Sequence, residues 1–200
     1  MSAADKIHET SLKSAKTPCS ELPNHLPVLS ATIRQASLER FAYISGLKDL
    51  QIVEVANWDA FSYGTQLALI MIAGKDLKLF FKAHFRVKPS LATFGDDKNR
   101  AGLFDLYREF CNLTAGAIKQ TLQSKDVLCG ISLPTVISGY DELILSDTVR
   151  TDRMVDCFVI GNDKFSFTIT VLVDVSDPDL RVRLESLTAS SAASDDIDFL

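Results

Sequence analysis

The chain has 200 residues, with 21 basic against 26 acidic side chains for a net charge of −5, 46% apolar residues and 24% charged ones. That is enough chain for one domain with a real core, and the balance excludes collagen, coiled coil and wholesale disorder. An acidic chain without a clustered Lys/Arg face is a poor nucleic-acid binder, so no such partner is expected. The longest apolar run, Leu67 to Ala73, falls far short of the roughly 20 residues of a membrane span, so no membrane partner is expected either. The opening stretch MSAADKIHETSLKSAK has no apolar h-region. No signal peptide is therefore expected, and the expected location is the cytoplasm.

Residues 1–28 are polar, contain Pro18, Pro23 and Pro27, and show no periodicity, so they read as an N-terminal extension. From Leu29, the residues Ile33, Ala36, Phe41, Ile44 and Leu47 recur at mostly helical spacing, and Gly46 is placed to end that helix. Residues 50–57 read as a strand. Gln66–Ala73 and Leu77–Phe85 flank Gly74-Lys75-Asp76, which is turn chemistry, so a hairpin is expected. Its second arm puts Leu77, Leu79, Phe81, Ala83 and Phe85 on one face and Lys78, Phe80, Lys82 and His84 on the other. His84 is expected to be an exposed strand residue rather than a base. Lys88 to Arg100 reads as a short helix or loop. Residues 101–123 carry the strongest helical pattern. Ile131–Ser138 is extended, with Pro134 fixing its start, and Met154–Ile160 and Lys164–Val175 form a second hairpin around Gly161-Asn162-Asp163. From Ser176 the chain reads as a charged linker, then the small-residue stretch Thr188–Ser194, then an acidic and apolar tail, Asp195 to Leu200.

The four cysteines, Cys19, Cys111, Cys129 and Cys157, form no CxxC pair, and the histidines His8, His25 and His84 are equally scattered. Reduced, mostly buried thiols and no metal site are the expectation.

The helix 103–123 is apolar over more than half of its circumference, so it should be deeply embedded. Leu103, Leu106, Phe110, Leu113 and Ala117 form one stripe; Phe104, Tyr107, Cys111, Ala115, Ile118 and Leu122 form the next. The remaining arc carries Asp105, Glu109, Asn112, Gly116, Gln120 and Gln123 in one narrow line. Glu109 and Asn112, at i and i+3, project together. Taken alone, such a line is most often a solvated face. Gly116 costs the helix about 1 kcal/mol against alanine. Two reasons for it remain open at this point: close packing of a neighbouring strand, or room for something bulky at the helix surface.

Twenty-two positions after Asn112 comes Pro134, in the run Ile131-Ser132-Leu133-Pro134-Thr135-Val136-Ile137-Ser138-Gly139. Together with Asp105-x-x-x-Glu109-x-x-Asn112-Leu113-Thr114-Ala115-Gly116 this resembles the signature of the CheC/CheX/FliY phosphatases of bacterial chemotaxis. The single Glu/Asn helix looks most like CheX. The resemblance is carried by motif over about 100–140 and by strand pattern over about 29–175, and does not extend to the N-terminal extension or the tail. It implies an α+β fold, with an antiparallel or mixed β-sheet in a single domain (29–175) packed against two long helices.

The resemblance also implies a reaction and a partner. The substrate is a phosphorylated response-regulator receiver, CheY-like, whose aspartyl phosphate, Mg²⁺ and lysine all belong to the receiver; this chain binds no cofactor itself. Asn112 is the residue that positions the attacking water, because an amide can orient water through its carbonyl and contact a phosphoryl oxygen through its NH₂. Glu109 pairs with the receiver's lysine. Asp105, Gly116 and Gln120 line the docking surface, and Pro134 shapes the strand beside the helix. A homodimer is implied as well. The alternative reading is a catalytically silent receiver-binding adaptor. The tail resembles the short acidic and apolar peptides by which CheZ and flagellar switch proteins grip CheY, and could tether the receiver near Glu109 and Asn112.

Overall fold

A computed structural model describes residues 26–54, 64–94, 99–139 and 153–185. The N-terminal extension up to residue 25, the strand positions 55–57 and the tail from residue 186 lie outside the described residues, as do Cys19, His8 and His25. In chain order the elements are α1 (Pro27–Ser45), β1 (Gln51–Glu54), β2 (Gln66–Gly74), β3 (Leu77–Phe85), α2 (Val87–Phe94), α3 (Arg100–Gln123), β4 (Cys129–Ile131), β5 (Thr135–Ser138), β6 (Met154–Asn162), β7 (Phe165–Val175) and α4 (Pro178–Glu185). The architecture is α+β.

All strand pairs are antiparallel. The order is β1-β6-β7-β3-β2-β4, with β5 also on β2. The two hairpins form where the turn triads stand. In the second, the Asn162 side chain accepts hydrogen bonds from the backbone N–H of Lys164 (3.1 Å) and Phe165 (3.1 Å) and closes the turn. The α1 helix has Pro27 in its first turn and ends on Gly46, whose φ of 66° is left-handed and whose N–H reaches Ala42 O at 3.1 Å.

One face of the sheet carries the core. Leu77, Leu79, Phe81, Ala83 and Phe85 of β3 are all buried there, as are Phe167, Ile169, Val171 and Val173 of β7. Helices α1 and α3 cover this face. Phe41 of α1 is their junction, with its ring centroid 5.2 Å from that of Phe110 on α3 and 4.4 Å from that of Phe167 on β7. Tyr107 of α3 stacks on Phe85 at 3.7 Å. Polar anchoring comes from Arg34 of α1. Its Nη2 and Nε donate to both carboxylate oxygens of Asp156 on β6 (2.7 and 3.0 Å) and its Nη1 donates to Glu54, the Ser30 hydroxyl also donates to Asp156, and the guanidinium lies 5.1 Å from the Phe158 ring centroid. Burial pulls the Arg34 guanidinium down, but Asp156 and Glu54 more than reverse this and hold it protonated.

Four features depart from the sequence reading. His84 is not exposed: it is 2% accessible and its Nε2 lies 3.1 Å from Thr170 Oγ1. Alternation assigns its face correctly, but β3 is a central strand, and Leu67, Thr168 and Thr170 beside it are buried too. The stretch read as a charged linker from Ser176 contains α4, whose Leu180 and Leu184, four apart on one face, are buried. Leu26 belongs to the packed core and half-buried Val28 packs against it, so neither is part of an extension. Finally, Ile131–Ser138 is not one strand. Ile72 faces Ile131 while Leu69 faces Thr135, so three steps on β2 match four on the other side. The extra residue is a bulge between β4 and β5, where Pro134 has no N–H to give. Ser132 bridges the gap: its N–H donates to Met71 O (2.8 Å) and its Oγ accepts from Met71 N–H (3.0 Å).

Candidate functional site

Helix α3 starts where Asn99 caps it, its side chain accepting from Gly102 N–H at 2.9 Å. Its buried side is Leu103, Leu106, Tyr107, Phe110, Cys111, Thr114, Ala115, Ile118 and Leu122. This differs slightly from the sequence reading: Thr114 is buried, whereas Leu113 and Ala117 are only half-buried and border the polar line. Helix α1 packs against α3 on the Phe110 side, and the β4–β5 edge packs on the opposite flank. Two core-facing groups show how dry the embedded side is. Burial pushes the Tyr107 phenol far above its usual range, with the Ser90 hydroxyl of α2 pulling the other way, and burial raises the Cys111 thiol in the same manner.

The opposite side is open. Asp105, Glu109, Asn112, Gln120 and Gln123 are exposed, and Gly116 is half-buried. At 1.5 Å per residue the line from Asp105 to Gln120 runs about 22 Å. Among the described residues, neither Glu109 nor Asn112 makes a side-chain hydrogen bond or ion pair, so both are available to a partner. The glycine question is also answered for the described residues: a Cβ built on Gly116 meets nothing within 4 Å. Close packing of a strand is therefore not its reason.

The structure thus brings Asp105, Glu109, Asn112, Gly116 and Gln120 onto one accessible helix face. Pro134 stands apart from this line, in the bulge of the edge that packs on α3. The bulge leaves its neighbour Leu133 87% accessible.

The sequence reading missed the flank of the line. Arg108 Nη1 donates to Asp105 Oδ1 at 2.8 Å, an exposed i,i+3 pair worth about 0.5 kcal/mol or less to the fold. Lys119 lies on the same flank, close enough to Cys129 of β4 to pull that thiol down against the burial that raises it. The signal was present on the helical wheel, since Arg108 is three residues after Asp105 and four before Asn112. Cys111 and Cys157 are buried and Cys129 is half-buried. Among the described residues no three His, Cys, Asp or Glu side chains gather to hold a metal ion, and no helix is long and apolar enough to cross a membrane.

No family model matches the chain, and no curated protein matches its sequence. Solved structures do match. The chemotaxis protein CheX of Vibrio vulnificus superposes with a TM-score of 0.57 at 14% identity, over 73% of this chain and 99% of that one. A chemotactic CheC-like protein of Shewanella oneidensis MR-1 gives 0.57 at 18% identity, over 74% and 98%. The Borrelia burgdorferi CheX–CheY–BeF₃–Mg²⁺ complex contributes a third, with 0.53 at 14% identity, over 76% and 100%. The four helices and seven-stranded antiparallel sheet among the described residues and these superpositions lead to one conclusion: the chain has the fold of the CheC-like and CheX chemotaxis proteins.

Proposed function

We propose that this protein binds a CheY-like response-regulator receiver through the exposed line of α3 and hydrolyses the receiver's aspartyl phosphate. The single observation that carries the reading is the unengaged Glu109/Asn112 pair, exposed on a helix whose other side is locked into the core. A chain of this fold recorded in complex with CheY, BeF₃ and Mg²⁺ supports the choice of partner class.

The reaction needs little from this chain beyond position. Water oxygen attacks phosphorus in line, the phosphorus–oxygen bond to the aspartate breaks, and the carboxylate leaves with the bonding pair. Inorganic phosphate carries off the water oxygen, and the surplus proton goes to phosphate or solvent. The Mg²⁺ and lysine beside the phosphoryl group are the receiver's. Asn112 is assigned the water, because a neutral amide can accept from water and donate to a phosphoryl oxygen at once. Glu109, one turn earlier, is assigned the receiver's lysine, which fixes the angle at which the two proteins meet. Gly116 leaves the backbone open to the incoming loop, Asp105 and Gln120 border the contact, and Pro134 shapes the strand beside the helix.

The same reading includes a homodimer. Among the described residues, no strand covers the outer edges of β1 or of β4–β5, and such edges call for cover. Light scattering of the purified chain tests it, a mass of two chains being the expected result. The activity is tested by incubating phosphorylated receivers from the same genome singly with the protein. At least one should lose its phosphate faster. Binding without acceleration of any receiver would instead establish the adaptor reading.

A further inference from the structure

We infer that Arg108 is a phosphoryl-contacting residue and Asp105 its positioning residue, so that this pair makes docking selective for the phosphorylated receiver. The inference rests on the phosphatase reading above and concerns the same face of α3. Arg108 stands one turn before Asn112, at i and i+4, a spacing that brings side chains about 5–6 Å apart at Cβ. A helical side chain leans over the turn that precedes it, so the Asn112 amide lies over the turn that carries Arg108.

The chemistry follows from charge. Asp105 and Glu109 place two carboxylates on the line where a phosphoryl dianion must arrive. Glu109 is assigned a cation on the receiver. Asp105 has its cation already, in Arg108 at 2.8 Å. That contact uses one N–H of Arg108 Nη1, and among the described residues no other acceptor holds the guanidinium. The other four N–H groups of the fork remain to be offered, in the flat arrangement that suits phosphoryl oxygens. Asp105 thus does not simply border the contact: it holds a long, otherwise mobile side chain beside Asn112. Lysine at 108 would keep the charge and lose the fork.

The test is binding of the full chain to a purified receiver, with and without beryllofluoride and Mg²⁺ as the phosphoryl mimic. Arg108→Gln is expected to weaken binding of the beryllofluoride form by about tenfold or more, the size of a lost charge-assisted hydrogen bond. Binding of the bare receiver should change by less than about twofold. Arg108→Lys should recover part of the loss. Asp105→Asn should give a smaller loss, and should add nothing to Arg108→Gln in the double variant, because it acts through the arginine. Equal weakening of both receiver forms, or none, overturns the inference while leaving the phosphatase reading in place. A wild-type chain that neither binds nor dephosphorylates any receiver overturns both. Protection of Arg108 by inorganic phosphate alone, without receiver, would mark a free-phosphate site and also overturns it.

Discussion

Gly116 offers the sharpest separation of folding from function. It sits inside a 24-residue helix, where glycine is about 1 kcal/mol less favourable than alanine. Among the described residues, a Cβ at this position meets nothing within 4 Å. Gly116→Ala should therefore stabilise the protein by about 0.5–1 kcal/mol, in part by restricting the unfolded chain. For a chain of this size that is a rise in Tm of about 1–4 °C. Gly116→Leu should be at least as stable as wild type, since leucine is also a good helix former and has open space to enter. If a receiver loop must approach the helix backbone here, the same leucine should weaken receiver binding and dephosphorylation by about tenfold or more, while alanine should cost less. Thermal unfolding and receiver dephosphorylation, measured on the same preparations, decide it. A drop in Tm for Gly116→Ala would refute the argument from open space. Full activity in Gly116→Leu would remove this part of the helix from the docking surface.

Further expectations concern charge, packing and pH. Glu109→Lys should reduce receiver dephosphorylation more than Glu109→Ala, because it adds repulsion to the loss of a partner; equal effects in a steady-state assay would argue against a lysine contact. Asp156→Ala should cost about 3 kcal/mol in urea unfolding, since it leaves the guanidinium of Arg34 between α1 and β6 with only the exposed Glu54 as an ion-pair partner. A loss under about 1 kcal/mol would mean that Arg34 relaxes to solvent. Folding holds the protons of Cys111 and Tyr107 above their ordinary values of 9.0 and 10.0. The unfolded chain releases those protons first, so stability should be complete below about pH 8.5 and fall as pH rises beyond it. Urea midpoints at pH 7 and pH 10 measure this, and an unchanged midpoint would contradict it. Deletion of residues 189–200 should raise KM for the phosphorylated receiver with little change in kcat if the tail tethers the partner. A lower Tm with KM unchanged would make the tail a structural strap.

Local chemistry made most of the elements legible. The period of α3, the glycine stop of α1 and the two turn triads each act within a few residues, and each stands where the sequence puts it. What escaped depends on distant partners. The β4–β5 bulge is held where Ser132 meets Met71, some 60 positions earlier, and no local pattern announces that register. Burial of His84 follows from β3 lying mid-sheet between β7 and β2, which alternation cannot reveal. Helix α4 was hidden by its charges, although Leu180 and Leu184 already marked its buried side. At the candidate site, the polar line was readable because an embedded helix leaves only one arc for polar residues. The partner-free state of Glu109 and Asn112 and the open space at Gly116 were not, because they depend on what the rest of the fold leaves uncovered.

The central claim is that Asn112 positions water at a receiver's aspartyl phosphate. It is tested most directly by phosphate release from one phosphorylated receiver, measured at saturating wild-type protein and at saturating Asn112→Ala. Asn112 is exposed and off the core side, so the variant should fold, and working at saturation removes any loss of receiver affinity from the comparison. The account predicts that wild type accelerates release and that the variant loses at least about tenfold of that acceleration. Equal acceleration by the two proteins would contradict it.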